Sequence, residues 1–464
     1  MLTRSSGRER FRSIVSLPTR FDRRLLWIVV INGLVFNGVL TCASFLLLHM
    51  KLFELAGTVG TSFGPLFHSL LPMRQGHDSW APMLIALKCL KEKLPIYQTV
   101  FFTDKIKFQY PLSSLLPLYV LERWGWGSDR IFRFLNLFSW LAFWITLAIS
   151  ARLLISSVQY TSTSDKDSRA DSRILVVAAV IGGILFYPLL RSYALGQAQI
   201  FLSLLFAISL QSWLEHRYAA SGVTWGLMCL IKPQYGLMIV WFTLRRKFSA
   251  LAASGFTLAA GICLTGSLFG WHEQFQYLKV LRFISAHGES YWRNESINGL
   301  LNHLFFNGVN LNWEPNSFAP YQSFIYALTV ITSLVIIALA WFWPFSNEER
   351  SGPIDFAAMA ISATVASPIA WEHHYGILFP IFAVLAGRSS RARNVKLLVL
   401  AYVLIANGWG PLNTLAGVPV LNALQSMRLF GVMVLLGLLY TWNVKSPQDN
   451  PHPKILDKRI PRVS

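Results

Sequence analysis

Runs of about twenty apolar residues recur from one end of this 464-residue chain to the other. Of all residues, 54% are hydrophobic and only 14% are charged, a balance that soluble globular proteins do not show. An apolar stretch of about 20 residues is long enough to cross the hydrocarbon layer of a bilayer as an α-helix. The sequence therefore predicts an all-α polytopic membrane protein.

The apolar runs predict a bundle of about twelve transmembrane helices with long outward loops. The helices are expected at 25–50, 111–123, 131–155, 174–190, 198–214, 221–243, 249–270, 322–343, 354–370, 375–388, 397–411 and 420–443. With twelve spans, every strong cluster of Lys and Arg lies on one side of the membrane, as the positive-inside rule requires. The shortest run, 111–123, is the weakest of these spans, because a re-entrant segment there would move the later loops to the other side.

This topology divides the chain into three parts. Residues 1–24 are expected to form a basic cytoplasmic N-terminus, residues 25–443 a transmembrane domain, and residues 444–464 a proline-containing cytoplasmic tail that we expect to be disordered. Two long loops, 51–110 and 271–321, then lie on the outward side of the membrane.

Charge and cysteine content exclude several classes of function. A net charge of +19 is typical of nucleic-acid-binding proteins, but here Lys and Arg gather in short loops between spans, where they set topology, so no nucleic-acid partner is expected. The four cysteines, Cys42, Cys89, Cys229 and Cys263, show no paired spacing for disulfides or zinc. The outward loops carry no Asp-x-Asp cluster, so we expect neither a metal nor another cofactor.

Asp78 lies in the first outward loop, just before a segment, 80–94, with the pattern of an amphipathic helix at a membrane interface. A carboxylate held at that boundary can act as a general base. Asp78 could instead be a solvated loop acid or the N-cap of the following helix, since Asp is a favoured cap residue.

Other polar residues lie in or beside the apolar runs. Lys232 falls inside the predicted sixth span, where a charge costs about 2.5–3.5 kcal/mol and marks either a functional cavity or snorkelling to the interface. His373 and His374, at a predicted span end, could bind an anion or pack at the interface. Gly196 and Gln197 are interpreted as a tight turn between two spans.

The order of short motifs resembles glycosyltransferase family 87, multispanning enzymes of the GT-C superfamily that use polyprenyl-phosphate sugars. The resemblance extends over about residues 25–443. Its pieces are the Asp78 loop, Leu94-Pro95-Ile96-Tyr97, Phe108-Gln109-Tyr110-Pro111, Leu195-Gly196-Gln197-Ala198-Gln199, Gly226-Leu227, Ile231-Lys232-Pro233-Gln234, Trp292-Arg293-Asn294-Glu295-Ser296-Ile297-Asn298-Gly299, and Ser367-Pro368 with Trp371, His373 and His374.

The resemblance implies roles for individual residues. Asp78 corresponds to the expected catalytic base, with Glu295 its strongest rival, because Glu295 stands where the family often has a glutamine; Asp104 and Glu372 also compete. The donor phosphate would need cations or donors, for which we expect the side chains of His373, His374, Lys232 and Arg293. Trp292 and Tyr110 are secondary candidates for contacts with the sugar.

The expected reaction is transfer of a sugar from a polyprenyl-phosphate donor to a lipid-linked or surface glycan acceptor. The resemblance implies mannose as the sugar, with an arabinofuranose donor as the near alternative. One base and a single displacement invert the anomeric centre. The site is expected on the extracytoplasmic face of a cell membrane. A transporter, or a lipid-binding protein without transfer activity, is the alternative from another class, although most predicted spans lack the charges that transporters carry.

Overall fold

The computed structural model describes residues 31–32, 39, 76–161, 172–345, 350–389, 392–415 and 417–442. Within these ranges the chain is helical, and its only β-type pairing is an isolated antiparallel bridge between Asn294 and Trp371. The α-helices are α1 (Trp80–Lys91), α2 (Leu116–Arg123), α3 (Ser128–Thr161), α4 (Ser172–Ile184), α5 (Tyr187–Ala194), α6 (Gln199–Leu214), α7 (Tyr218–Ile231), α8 (Leu237–Leu244), α9 (Phe248–Phe269), α10 (Trp271–His287), α11 (Ile297–Leu304), α12 (Ser323–Phe342), α13 (Pro353–Val365), α14 (Leu378–Arg388), α15 (Ala392–Ala406), α16 (Pro419–Asn422) and α17 (Met427–Tyr440).

Short turns of other helical types join several of these elements. A π-helical turn covers Tyr97–Thr103, and 3₁₀ turns cover Leu112–Leu115, Pro233–Gly236, Glu372–Ile377, Gly410–Leu415 and Ala423–Ser426. All five 3₁₀ turns fall where the sequence predicted helix or its edge.

Four helical segments of the described chain are long and apolar enough to cross a membrane: Ser128–Tyr160, Phe248–Phe269, Ser323–Phe342 and Val420–Tyr440. Helices α4 and α5 make a fifth if the 58° bend between them lies within one span. Large apolar side chains project outward from these segments; Phe256, for example, is 77% exposed. Such surfaces suit lipid, because every backbone group in a helix is already hydrogen-bonded. The chain is accordingly a multi-pass membrane protein.

Several predicted helix limits agree with the structure. The spans predicted at 198–214, 249–270 and 322–343 correspond to α6, α9 and α12 within one residue at each end. The segment predicted at 80–94 is helical as α1, with Met83 and Leu87 buried on one side. The predicted span at 25–50 and the tail at 444–464 lie outside the described residues, apart from residues 31, 32 and 39.

Other predictions need correction, and twelve spans are not confirmed. The run predicted as one span at 221–243 is two helices, α7 and α8, because the chain becomes extended at Lys232 and Pro233 cannot continue the helical hydrogen bonds. The run at 174–190 is likewise broken before Pro188. At 111–123 the structure has a 3₁₀ turn and an eight-residue helix, too short to cross a membrane.

Two apolar cores hold the helices together. The larger core surrounds α6, α7, α13 and α14, with Trp225 and Trp241 fully buried in it. The second core packs α1, the π-helical turn and α2 against α10. Residues from both cores line one large cavity, so the two cores meet at that cavity.

Candidate active site

Asp78 is fixed by the backbone of a distant turn. The amides of Gly76, Asp78 and Ser79 donate to the carbonyls of Ala194, Leu195 and Gly196 over 2.9, 3.0 and 3.3 Å. Gly196 has a φ of +65°, and a Cβ atom there would come within 1.9 Å of the Gly76 carbonyl oxygen. Only glycine therefore permits this approach. The tight turn predicted at Gly196 is present, and it also docks the loop that carries Asp78.

The side chain of Asp78 faces the cavity. Gln197 Nε2 donates a hydrogen bond to Asp78 Oδ2, while Gln197 Oε1 accepts from Ser79 Oγ at 2.7 Å and from the Tyr110 hydroxyl at 3.2 Å. The N-cap residue of α1 is Ser79, whose side chain forms no capping bond. The Asp78 carboxylate is thus bonded to Gln197 rather than to the start of the helix, which leaves its second oxygen available to a ligand.

Burial raises the pKa of Asp78 above its usual range, because the protein around the cavity desolvates the carboxylate. The hydrogen bond from Gln197 and the charges of Arg191 and Lys107 oppose this shift and favour the ionised form. A carboxylate with a raised pKa is a stronger base than an ordinary aspartate and still ionises readily.

The cavity has a volume of about 1040 Å³ and combines this acid with several cations. Its walls include the side chains of Lys107, Arg191, Lys232 and Arg293 together with Asp78. It is large enough for a drug-sized ligand, and much of the remaining lining is apolar, from residues such as Ile85, Leu237, Val240, Leu281 and Ile369.

Lys232 reaches the cavity because helix α7 ends beside it. Its backbone is extended, with φ −139° and ψ 107°, and its ammonium donates to Gln199 Oε1 at 2.9 Å. The ammonium also contacts His374 Nε2. No carboxylate in the described part of the chain forms an ion pair with Lys232, so a bound anion would be the first acidic partner of this amine.

His373 and His374 lie in the 3₁₀ turn before α14, and both line the cavity although they are only 4% and 5% exposed. Burial, with the nearby Lys232 charge, holds the pKa of both imidazoles well below the usual range. Both rings are therefore neutral at physiological pH and can each donate one hydrogen bond and accept another.

Glu372, beside the two histidines, is the centre of a buried ion-pair cluster. Its carboxylate contacts Arg293, Arg191 Nε at 3.1 Å and Arg428 at 3.5 Å. The Tyr187 hydroxyl adds a hydrogen bond of 3.3 Å. With so many donors committed to it, this carboxylate organises the arginines and is poorly suited to act as a base.

Glu295 belongs to the same cluster. It is fully buried, pairs with Arg428 at 2.5 Å and also accepts from the Arg428 amide at 3.1 Å. Burial raises the pKa of Glu295 to about 7, against the opposing effect of Arg428. Glu295 is absent from the cavity wall, so it cannot reach an acceptor hydroxyl there. Asp104 is exposed and also outside the cavity lining.

The remaining candidates are divided between the cavity wall and the layer behind it. Tyr110 lines the cavity and donates to Gln197. Trp292 is 1% exposed and lies behind Arg293, whose guanidinium is 4.4 Å from the indole centroid. Trp292 therefore supports Arg293 instead of contacting a ligand itself.

Two charged cavity residues were not singled out from the sequence, and the role of Gln197, interpreted as part of a turn, was not foreseen. Arg191 and Lys107 both lie close enough to Asp78 to lower its pKa, and Gln197 bonds it directly. A charged residue between two apolar runs was a usable signal for Arg191. Lys107 gave no such signal, and the turn and motif that contain Gln197 did not reveal its bond to Asp78, because both roles depend on contacts between distant parts of the chain.

No group of three or more His, Cys, Asp or Glu side chains arranged to hold a metal ion occurs among the described residues. The expectation that the site needs no metal stays a prediction.

Comparisons with known proteins point to one family. The profile of glycosyltransferase family 87 matches residues 108–369, more than half of the chain. A curated relative from Mycobacterium tuberculosis, a polyprenol-phosphate-mannose-dependent alpha-(1-2)-phosphatidylinositol mannoside mannosyltransferase, is 24% identical over 249 residues. The alignment covers 52% of this chain and 53% of the relative, about half the length of each. No solved structure matches the chain. Lys232 and Arg293 lie inside the matched range, whereas Asp78, His373 and His374 lie outside it.

Proposed function

We propose that this chain, which belongs to glycosyltransferase family 87, transfers a sugar from a polyprenyl-phosphate donor to a lipid-linked or surface glycan acceptor. One observation carries the proposal: a single cavity holds the acid Asp78 together with Lys232, which has no acidic partner among the described residues, and the guanidinium groups of Arg191 and Arg293. Transfer from a phosphate leaving group requires a base for the acceptor hydroxyl and positive charge for the departing phosphate. The cavity provides groups for both roles.

Asp78 is the proposed general base. Its free carboxylate oxygen removes the proton of the acceptor hydroxyl as that oxygen forms a bond to the anomeric carbon. The bond between the anomeric carbon and the phosphate oxygen breaks, and the phosphate leaves with the electron pair. Gln197 holds the carboxylate in one orientation, which keeps the base aligned with the hydroxyl.

Lys232, with His374 in contact with it, is proposed to bind the donor phosphate. The buried cluster behind them adds positive charge, since three arginines, Arg191, Arg293 and Arg428, face only two carboxylates, Glu295 and Glu372. Arg191 and Arg293 extend from this cluster to the cavity wall. An excess of cations in a low-dielectric site stabilises the charge that develops on the leaving phosphate.

A single displacement with inversion follows from this distribution of acids. A retaining mechanism needs a second carboxylate as nucleophile near the base. Of the other acids in this region, Glu372 is held by arginines and Glu295 is buried away from the cavity. Neither carboxylate is free to attack the anomeric carbon.

Mannose is the proposed sugar, because the Mycobacterium tuberculosis relative is named as a polyprenol-phosphate-mannose-dependent enzyme acting on a phosphatidylinositol mannoside. An arabinofuranose donor is the alternative within the same chemistry. A transporter is less consistent with the site, since the acids and cations gather around one cavity instead of following several spans. We place this cavity on the extracytoplasmic side of the cell membrane.

The test compares two aspartates in a radiolabelled transfer assay with polyprenyl-phosphate mannose. Asp78→Asn keeps the size of the side chain but removes the base, so transfer should fall by about 10²–10⁴ while the protein still binds the donor. Asp104→Asn is the matched control, because Asp104 is exposed and outside the cavity. Near-normal transfer by Asp78→Asn would reject the assignment of the base. Absence of transfer with both mannose and arabinofuranose donors in the wild-type protein would reject the proposed function.

A further inference from the structure

Three aromatic residues form a cluster on the cavity wall that the proposed chemistry does not use. The rings of Tyr291 and Trp313 have centroids 5.2 Å apart, those of Trp313 and Trp371 are 5.4 Å apart, and those of Tyr291 and Trp371 are 6.3 Å apart. All three residues line the same cavity as Asp78. We refer to Tyr291, Trp313 and Trp371 as the aromatic platform.

Trp313 is the exposed member of the aromatic platform. It lies between α11 and α12, in the second outward loop, and 44% of its surface is accessible. The other two rings are fixed from behind: Tyr291 is largely buried, and Trp371 belongs to the β-bridge with Asn294. A large ring that lines a cavity yet stays exposed is available for contact with a ligand.

Lys107 connects the aromatic platform to the catalytic base. Its ammonium lies 4.0 Å from the Trp313 ring centroid and 2.6 Å from Glu289 Oε2. Lys107 also lies near enough to Asp78 for its charge to favour the ionised carboxylate. Trp313 therefore contacts a lysine whose charge also acts on Asp78.

The charge around the aromatic platform differs from that around Lys232. Lys107 is neutralised by its ion pair with Glu289, whereas Lys232 has no acidic partner among the described residues. A phosphate would provide the acidic partner that Lys232 lacks. A neutral ligand needs no unpaired charge, and beside the Lys107–Glu289 ion pair it can also contact aromatic surface.

We propose that the aromatic platform binds the acceptor sugar, with one face of a pyranose ring stacked on Trp313. This inference rests on the proposed function and adds the place and chemical class of the acceptor. A hexopyranose presents a face of C–H groups that packs on an aromatic ring, and its hydroxyls can bond to neighbouring polar groups such as Asn316, which also lines the cavity. Trp313 and Asp78 line the same cavity, so a sugar bound at the aromatic platform shares that cavity with the proposed base.

The first experiment measures sugar binding without any transfer. Methyl α-mannopyranoside is added to the detergent-solubilised protein, and saturation-transfer NMR is recorded with irradiation of the aromatic protons. We expect saturation on the C–H protons of one pyranose face in the wild-type protein and its loss in Trp313→Ala. Trp124→Ala is the control, because Trp124 is 68% exposed and lies outside the cavity lining.

The second experiment measures transfer to octyl α-mannoside from polyprenyl-phosphate mannose. Loss of one stacked ring should raise the KM for the acceptor about 3- to 10-fold and leave the KM for the donor unchanged. Trp313→Phe keeps an aromatic face and should recover part of the acceptor affinity. These two readouts separate ring stacking from a general loss of structure, which would change both KM values.

The outcomes distinguish the two proposals. Equal saturation in wild type and Trp313→Ala, or none in the wild type, overturns the aromatic platform as a sugar site. An equal rise in KM for donor and acceptor also overturns it, and would place the lipid donor or its headgroup against Trp313. Platform-dependent mannoside binding in a protein that transfers no sugar would support the platform and reject the proposed function.

Discussion

Replacement of Glu372 by glutamine tests whether this acid stabilises the fold, whereas Asp78 is proposed to act as the base. Glu372 is 1% exposed, and its carboxylate contacts three guanidinium groups, those of Arg191, Arg293 and Arg428. Glu372→Gln keeps the shape of the side chain but removes its negative charge. The buried Arg293 and Arg428 and the partly buried Arg191 would then face the carboxylate of Glu295 alone.

The expected loss of stability is about 3–5 kcal/mol, the usual cost of removing one partner from a buried ion pair. A single pair about 4 Å apart contributes about 4 kcal/mol at the effective dielectric constant of about 20 that describes protein sites. Several pairs are lost together, but glutamine retains hydrogen-bonding capacity, and part of the pairing energy had been offset by desolvation. The net loss is therefore closer to one strong pair than to three.

This contribution should also depend on pH. Although burial raises it, the charges of Arg293, Arg428 and Arg191 together hold the pKa of Glu372 at about 2, below its ordinary 4.5. A group with a lowered pKa stabilises the fold above its unfolded pKa, and this stabilisation is lost as the pH falls through the folded pKa. The difference between wild type and Glu372→Gln should therefore be constant above about pH 4.5 and shrink toward pH 2.

The assay is denaturant unfolding of the detergent-solubilised protein, followed by the midpoint and slope of the transition. Glu92→Gln is the matched control: Glu92 pairs with Lys88 at 3.9 Å on the exposed face of α1, so its replacement should cost about 0.5 kcal/mol or less. If Glu372→Gln unfolds at the same denaturant concentration as Glu92→Gln, the cluster does not stabilise the fold. If it is stable but inactive, Glu372 has a direct part in catalysis.

Two further predictions concern the proposed active site. Lys232→Met should weaken inhibition by polyprenyl phosphate about 10- to 100-fold, because a charge-assisted contact to the phosphate is lost; an unchanged inhibition constant would place the phosphate elsewhere. Gln197→Leu removes a hydrogen bond that lowers the pKa of Asp78, so the acid limb of the kcat/KM profile should move to higher pH, since Asp78 must be ionised to accept a proton. An acid limb at the wild-type position in Gln197→Leu would mean that another group controls it.

The pattern of apolar residues predicted the positions of many helices, but it did not predict where some of them are interrupted. Helices α6, α9 and α12 begin and end where the runs of apolar residues do, because length and hydrophobicity decide whether a segment suits a bilayer. The same signal cannot distinguish one span from two helices joined at an angle. Pro233 and Pro188 were visible in the sequence. A proline can either kink one continuous helix or divide it into two, and the packing of the neighbouring helices decides which of these occurs.

The sequence by itself determined that this protein is helical and membrane-embedded, and its motifs were enough to identify family 87, which the match to residues 108–369 confirms. It also singled out several of the charged and polar residues that line the cavity, because such side chains are costly inside a membrane protein and therefore stand out. Only the tertiary structure decided what each of them contacts. Gln197 meets Asp78 across 119 positions of sequence, and Arg428 meets Glu295 across 133. These sequence separations explain why Glu295 resembled a base in the sequence but is a buried ion-pair partner in the fold. The charge of a carboxylate is set by the residue itself, whereas its solvation and its partner are set by residues that folding brings beside it.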